Sequence, residues 1–190
     1  MENTQEVYSL KNQFLIAMPH LESADFTKSV TYLCEHNDNG AMGIVINHPS
    51  DTNLGDIFNQ LGIACTNNRL RQHIVLAGGP VQTERGFVLH QEQGQWNSSV
   101  QIGTDLYLTT SQDILESIAL GQGPESFMIT LGYAGWSSHQ LEDEISQNFW
   151  LTCSSDQDIL FNIDIENRWQ ATANILGIDL NLVATEAGHA

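Results

Sequence analysis

Residues 76–90, Leu-Ala-Gly-Gly-Pro-Val-Gln-Thr-Glu-Arg-Gly-Phe-Val-Leu-His, set a glycine-proline step between two apolar runs. The runs at 74–77 and 87–89 read as strands. Glycine reaches positive φ without a Cβ penalty, and a residue before proline is pushed to an extended or turned path. The connection over 78–86 is therefore one that few other residues permit. Two readings of it stand. Gly78 and Gly79 can bring backbone N–H groups close to a phosphate or carboxylate, with Arg85 adding a guanidinium. Alternatively it is a tight loop whose Arg85 pairs with a neighbouring carboxylate such as Glu84. The spacing fits neither the GxxxxGK[ST] phosphate loop nor the GxGxxG dinucleotide fingerprint, so no cofactor is implied.

Short elements of both kinds fill the rest of the chain. Residues 14–18, 30–36, 41–47, 106–110, 126–133 and 149–153 read as strands, with the second and third joined as a hairpin across Asn37-Asp38-Asn39-Gly40. Leu54, Ile57, Phe58 and Leu61 fall at helical spacing, and Gly62 is placed to end that helix. Ile114, Leu115 and Ile118 make a second helix, capped by Thr110 or Ser111 and stopped at Gly121. A third follows Trp136, where Ser137 and Gln140 have capping-box spacing and Glu142, Asp143 and Glu144 suit the positive end of the helix dipole. A last helix over 164–176 buries Ile165, Trp169, Ala173 and Leu176. Interspersed strands and helices predict a mixed α/β (α+β) fold. With no repeat or Pro- or Ser-rich linker, residues 1–190 read as one domain.

Charge narrows the classes of partner. The 190-residue chain carries a net charge of −17, and Lys11, Lys28, Arg69, Arg71 and Arg85 leave Arg168 as the one later cation. A field of that sign repels phosphate backbones and anionic membranes, and no basic patch offsets it. Direct nucleic-acid binding is disfavoured, and solubility accounts for most of the acidity. No apolar run approaches the roughly 20 residues needed to cross a bilayer. The first residues lack the basic and apolar regions of a signal peptide, so the expectation is a soluble cytoplasmic protein. Cys34, Cys65 and Cys153 form no CxxC, and the seven histidines form no HExxH, so no local metal site is expected.

Four further groups have a chemical and a structural reading each. His90 ends an apolar strand and can act as an acid or base near neutral pH, or satisfy a local hydrogen bond. Tyr133 and Trp136 lie at the end of a strand before a helix, where they line a cleft or pack. Cys34 and His36, two apart on a strand, share a face, so an imidazolium can activate the thiol as a redox sensor. The alternative there is a cysteine used as a small core residue. Glu142, Asp143 and Glu144 point in different directions along a helix and make a poor metal cage.

Phe-Leu-Ile-Ala-Met-Pro at 14–19, Gly-Ala-Met-Gly-Ile-Val-Ile-Asn at 40–47, Gly-Gly-Pro-Val at 78–81 and Arg-Gly-Phe-Val-Leu-His at 85–90 recur in one order with Ile-Thr-Leu-Gly-Tyr-Ala-Gly-Trp at 129–136. Gln140-Leu141-Glu142 and Asn148-Phe149-Trp150 complete the set. Together they resemble the bacterial AlgH/YqgE family over nearly the whole chain. The resemblance implies a small closed barrel-like sheet surrounded by helices, with room for a small subdomain. It implies little chemistry, since the family is largely uncharacterised, although some members carry the name of transcriptional regulators. No helix-turn-helix signature accompanies that name here.

The resulting expectation is a non-catalytic regulatory or adaptor protein that binds a protein partner or a small polar ligand in a cleft. The cleft would use Gly78, Gly79, Arg85 and His90 on one side and Tyr133 and Trp136 on the other. An enzyme acting on a phosphorylated or nucleotide-like molecule is the alternative, and it requires Arg85 and His90 to converge on one pocket. A DNA-binding regulator is the third reading.

Overall fold

One long strand, β9 (Phe127–Ser137), organises the molecule. In the computed structural model, which describes residues 9–92, 94–180 and 182–183, its first half lies between β5 (Ile74–Ala77) and β6 (Val81–Gln91). The β5 pairing is parallel and the β6 pairing antiparallel. The second half of β9 pairs with β3 (Gly40–Val45), from Gly43 opposite Ala134 to Gly40 opposite Ser137. Outward from β3 run β2 (Val30–Asn37), β1 (Gln13–Ala17) and β10 (Trp150–Ser154). Outward from β6 run β8 (Leu106–Thr109) and β7 (Ser99–Gly103), while β4 (Pro49–Asn53) pairs with β5. The sheet curls into a half-barrel with helices packed on it, the mixed α/β class that the sequence predicts with the barrel-like sheet that the resemblance implies.

The apolar runs are continuous rather than alternating because several strands are buried on both faces. On β1, Phe14 and Ile16 enter one core with Tyr32, Ile44 and Leu89, while Leu15 and Ala17 enter a second with Leu33, Trp136 and Trp150. A third core, of Leu54, Phe58, Val88, Ile114 and Ile129, lies under α1 (Leu54–Leu61) and α3 (Asp113–Ala119). Each fully buried Leu, Ile or Phe contributes about 1.5–3 kcal/mol against conformational entropy.

Local signals set the helix ends unevenly. Asn53 caps α1 in a reciprocal box with Asp56, and Gly62 closes it in the left-handed region at φ 70°. The cap of α3 falls one residue past Ser111 and two past Thr110: Gln112 holds the N-cap without a side-chain bond, and Ser111 turns to Asp113 instead. α4 (Gln140–Ser146) keeps half of its expected box, with Gln140 accepting from the Ser137 N–H. The helix expected over 164–176 is α6 (Arg168–Ile175), which follows a 3₁₀ turn over Ile165–Asn167, and Leu176 is exposed rather than buried. The short α2 (Asn68–Arg71) and α5 (Gln157–Phe161), with β4 and β7, lack a pattern long enough to read in sequence. The amino-terminal residues read for a signal peptide lie outside the described ones.

Candidate functional site

The expected loop over 78–86 is mostly strand. Only Gly78, Gly79 and Pro80 connect β5 to β6, which then carries an insertion: Val81 faces Tyr133, while Gly86 faces Leu131. Residues 82–85 stand out of the ladder, with Gln82 in the left-handed region at φ 48°. The two glycines serve close approach. The Gly78 N–H donates to the Leu131 carbonyl at 2.7 Å, and its own carbonyl accepts from the Val45 N–H at 2.8 Å. Gly79 sits at φ 149°, and a Cβ there would run into the Tyr133 carbonyl. Gly78 therefore has no spare donor for an anion.

Arg85 is different. Its side chain is exposed, Nη1 donates to Gln82 Oε1 at 3.2 Å, and the guanidinium lies over the Phe87 ring at 5.3 Å. Among the described residues it makes no ion pair, with Glu84 or any other carboxylate. Arg85 and Phe87 form one wall of a groove of about 500 Å³, whose other residues include Tyr133, Trp136, Met42 and Glu35. Tyr133 and Trp136 line this groove with Arg85, both from β9. β9 runs on to Ser137, four residues past its expected end, so Tyr133 lies within the strand while Trp136 is close to its end, ahead of α4. Tyr133 packs edge-on against Phe87 at 5.9 Å between ring centroids. Trp136 is buried, with its indole N–H donating to Glu144. Glu35, Met42 and Phe87 were not read as site residues, and only the pairing of β2 with β3, and of β3 and β6 with β9, brings them here.

His90 does not reach this groove. It is fully buried on β6, with Trp96 edge-on and Tyr107 stacked against the ring. Nε2 lies 2.8 Å from Thr109 Oγ1 and Nδ1 lies 3.0 Å from the Gln91 carbonyl. Burial holds its pKa below the ordinary histidine value, against an opposing pull from backbone hydrogen bonds. Arg85 and His90 therefore share no pocket.

Cys34 and His36 are not neighbours either. A bulge in β2, where Leu33 faces Gly43 but Glu35 faces Met42, breaks the two-residue alternation between them. Cys34 packs into the core with Tyr32, and burial pushes its thiol up to about 12, away from a reactive thiolate. His36 faces the other way. Its Nδ1 accepts from the Leu10 N–H at 2.9 Å and its Nε2 lies 2.8 Å from Glu142 Oε1, which places the ring proton on Nε2. Burial raises the Glu142 pKa, but its backbone hydrogen bond and the contact with His36 outweigh that and hold it low. The Cys34–His36 arrangement lacks the geometry of an activated thiol.

Among the described residues no group of three or more His, Cys, Asp and Glu side chains is placed to hold a metal ion. No helix among them is long and apolar enough to cross a membrane.

Comparison with known proteins adds a family. A family model described as AlgH-like matches residues 14–181. A UPF0301 protein from Saccharophagus degradans is 51% identical over 191 residues, covering 100% of this chain and 93% of the relative. One from Xanthomonas axonopodis pv. citri is 48% identical over 181 residues, covering 95% and 96%. The solution structure of the AlgH protein from Pseudomonas aeruginosa superposes with a TM-score of 0.80 at 48% identity, covering 100% of both chains. A Corynebacterium diphtheriae crystal structure shares the fold alone, with a TM-score of 0.71 at 21% identity over 97% and 94% of the two chains.

Proposed function

The chain belongs to the AlgH-like family, and from that premise we propose that it is a non-catalytic binding protein whose Arg85 groove takes a small polar ligand bearing a carboxylate or phosphate. The observation that carries this reading is the state of Arg85. In a chain with 23 acidic residues and six cations, an exposed guanidinium at a groove wall has no carboxylate partner among the described residues. Phe87 holds it in place by ring contact, which leaves its outer N–H groups for a ligand. Tyr133, Met42 and Trp136 supply an apolar bed for the rest of the molecule. Glu35 on the opposite wall favours a ligand that also carries a donor. A role in regulation follows if occupancy of the groove is what a partner protein senses. His90 is enclosed away from Arg85, so acid–base chemistry on an anchored phosphate has no support from these two residues.

Thermal unfolding against a panel of nucleotides, phosphorylated metabolites and carboxylates tests the reading. A ligand at 100 times its Kd adds about 2.7 kcal/mol, which raises the midpoint by roughly 5–11 °C for a chain of this size. The rise is expected for an anionic compound and is expected to vanish in Arg85→Ala. A flat panel, or a rise that Arg85→Ala leaves intact, overturns the site and directs attention to a protein partner.

A further inference from the structure

The β6 insertion has a second side. Arg85 turns to the groove above, whereas Thr83 and Glu84 line a separate cavity of about 470 Å³. This cavity lies over the third core, where α1 and α3 rest on the same face of the sheet and leave it uncovered between them. Its floor is Val88, Ile129 and Leu131 from β6 and β9, and its walls are Ile57 and Leu61 from α1 and Leu115 from α3. The volume is that of a small-molecule site, and the mixture of an apolar floor with a few polar groups is what such sites show.

Charge and hydrogen bonding at the rim define what fits. Glu84 is the one ionisable side chain among the lining residues, which include no Lys, Arg or His. It makes no ion pair among the described residues, and neither Glu84, Thr83, Thr110 nor Gln60 spends its side chain on a hydrogen bond within them. Ser111 and Gln112, by contrast, are committed to Asp113 and Glu116. An anion here would meet a carboxylate and the −17 field of the chain. An ammonium group would meet Glu84, with the Thr83 and Thr110 hydroxyls and the Gln60 carbonyl available to accept its remaining N–H bonds. We propose that this cavity is a second binding site, selective for an organic amine whose apolar body lies on Val88, Ile129 and Leu131. It does not depend on the reading of the Arg85 groove, because no residue of one site is needed in the other.

Titrations of the protein with 2-phenylethylamine, 2-phenylethanol and 3-phenylpropionate, followed by methyl NMR, separate the outcomes. The amine is expected to shift the methyl signals of Ile57, Leu115 and Ile129 saturably, and to bind more tightly than the alcohol or the carboxylate. Glu84→Gln is expected to weaken the amine by about three-fold or more, as loss of an ion pair at the tight end of the exposed range would. Leu115→Trp fills the cavity and abolishes binding. Gln60→Trp does so from an exposed helix position should the first variant fail to fold. Arg85→Ala leaves the amine affinity unchanged, although it removes the anion site. The proposal is overturned by any of three results: unshifted methyls at saturating amine, carboxylate or alcohol binding as tight as the amine, or undiminished binding in Glu84→Gln.

Discussion

Glu144 accepts two indole hydrogen bonds on the same oxygen, from Trp136 Nε1 at 2.9 Å and Trp150 Nε1 at 2.7 Å. It thereby ties α4 to β9 and β10 and holds the second core closed beneath the Arg85 groove. Removing the carboxylate leaves both indole donors of that core without a partner. Glu144→Ala is expected to cost about 3 kcal/mol and to shift tryptophan fluorescence, while Glu144→Gln, which keeps an acceptor, costs less. Urea unfolding followed by that fluorescence measures both, and equal stability of the three proteins would refute the tie. Arg168 is a similar case. The sequence shows only an isolated cation, but the guanidinium is buried and donates to the Ile163 and Ile46 carbonyls, and burial draws its pKa down to about 10. Such roles were illegible because no local pattern marks them: Ile46 lies far along the chain from Arg168, and Glu144 meets its two indoles only once α4 has folded back onto β9 and β10. Cys34 and His36 mislead for a related reason: alternation is a local rule, and the bulge that breaks it is defined against β3.

At the scale of elements, α1 is the one written most fully in its own residues. The α1 helix carries its own period, its own cap and its own terminating glycine, so the sequence places it well. The β6 insertion is not local at all, since it exists only as a mismatch in count with β9. That is why residues 78–86 read as a loop although most of them are strand. Two glycines separate the kinds of constraint. Gly62 is at φ 70° with open space where a Cβ would go, so Gly62→Ala meets only the left-handed backbone penalty, about 1–2 kcal/mol. Gly79 combines positive φ with a collision against the β9 backbone. Gly79→Ala is expected to cost at least about 3 kcal/mol, seen as a larger drop in urea midpoint than Gly62→Ala. Equal midpoints would show that the β5–β6 turn can relax away from β9.

The whole molecule senses acid through groups that the fold keeps from protonating. His90 has a folded pKa below its unfolded value of about 6.5. Below that pH the unfolded chain binds a proton that the native state refuses. Stability is thus fully present above about pH 6.5 and falls as pH drops, by at most about 1.4 kcal/mol per pH unit for one group. His73, also lowered by burial, acts in the same direction. Glu142 adds a loss at lower pH, where its depressed carboxylate finally protonates. Unfolding free energy measured from pH 7 to pH 5 is expected to decline less steeply in His90→Gln than in the parent, and an unchanged slope would show that His90 is not responsible.

The placement of β9 also bears on how the protein is made. Its partners β3, β5 and β6 all precede it in the chain, and the most distant pairing joins residues about half the chain apart. Pairings of such separation form late and expose unpaired edges while they wait. A polypeptide emerging from the ribosome holds the flanking strands of this sheet before it holds the middle one. β3 and β5 are each left with one open edge until β9 has been synthesised, and β6 is left with two until β8 covers one of them.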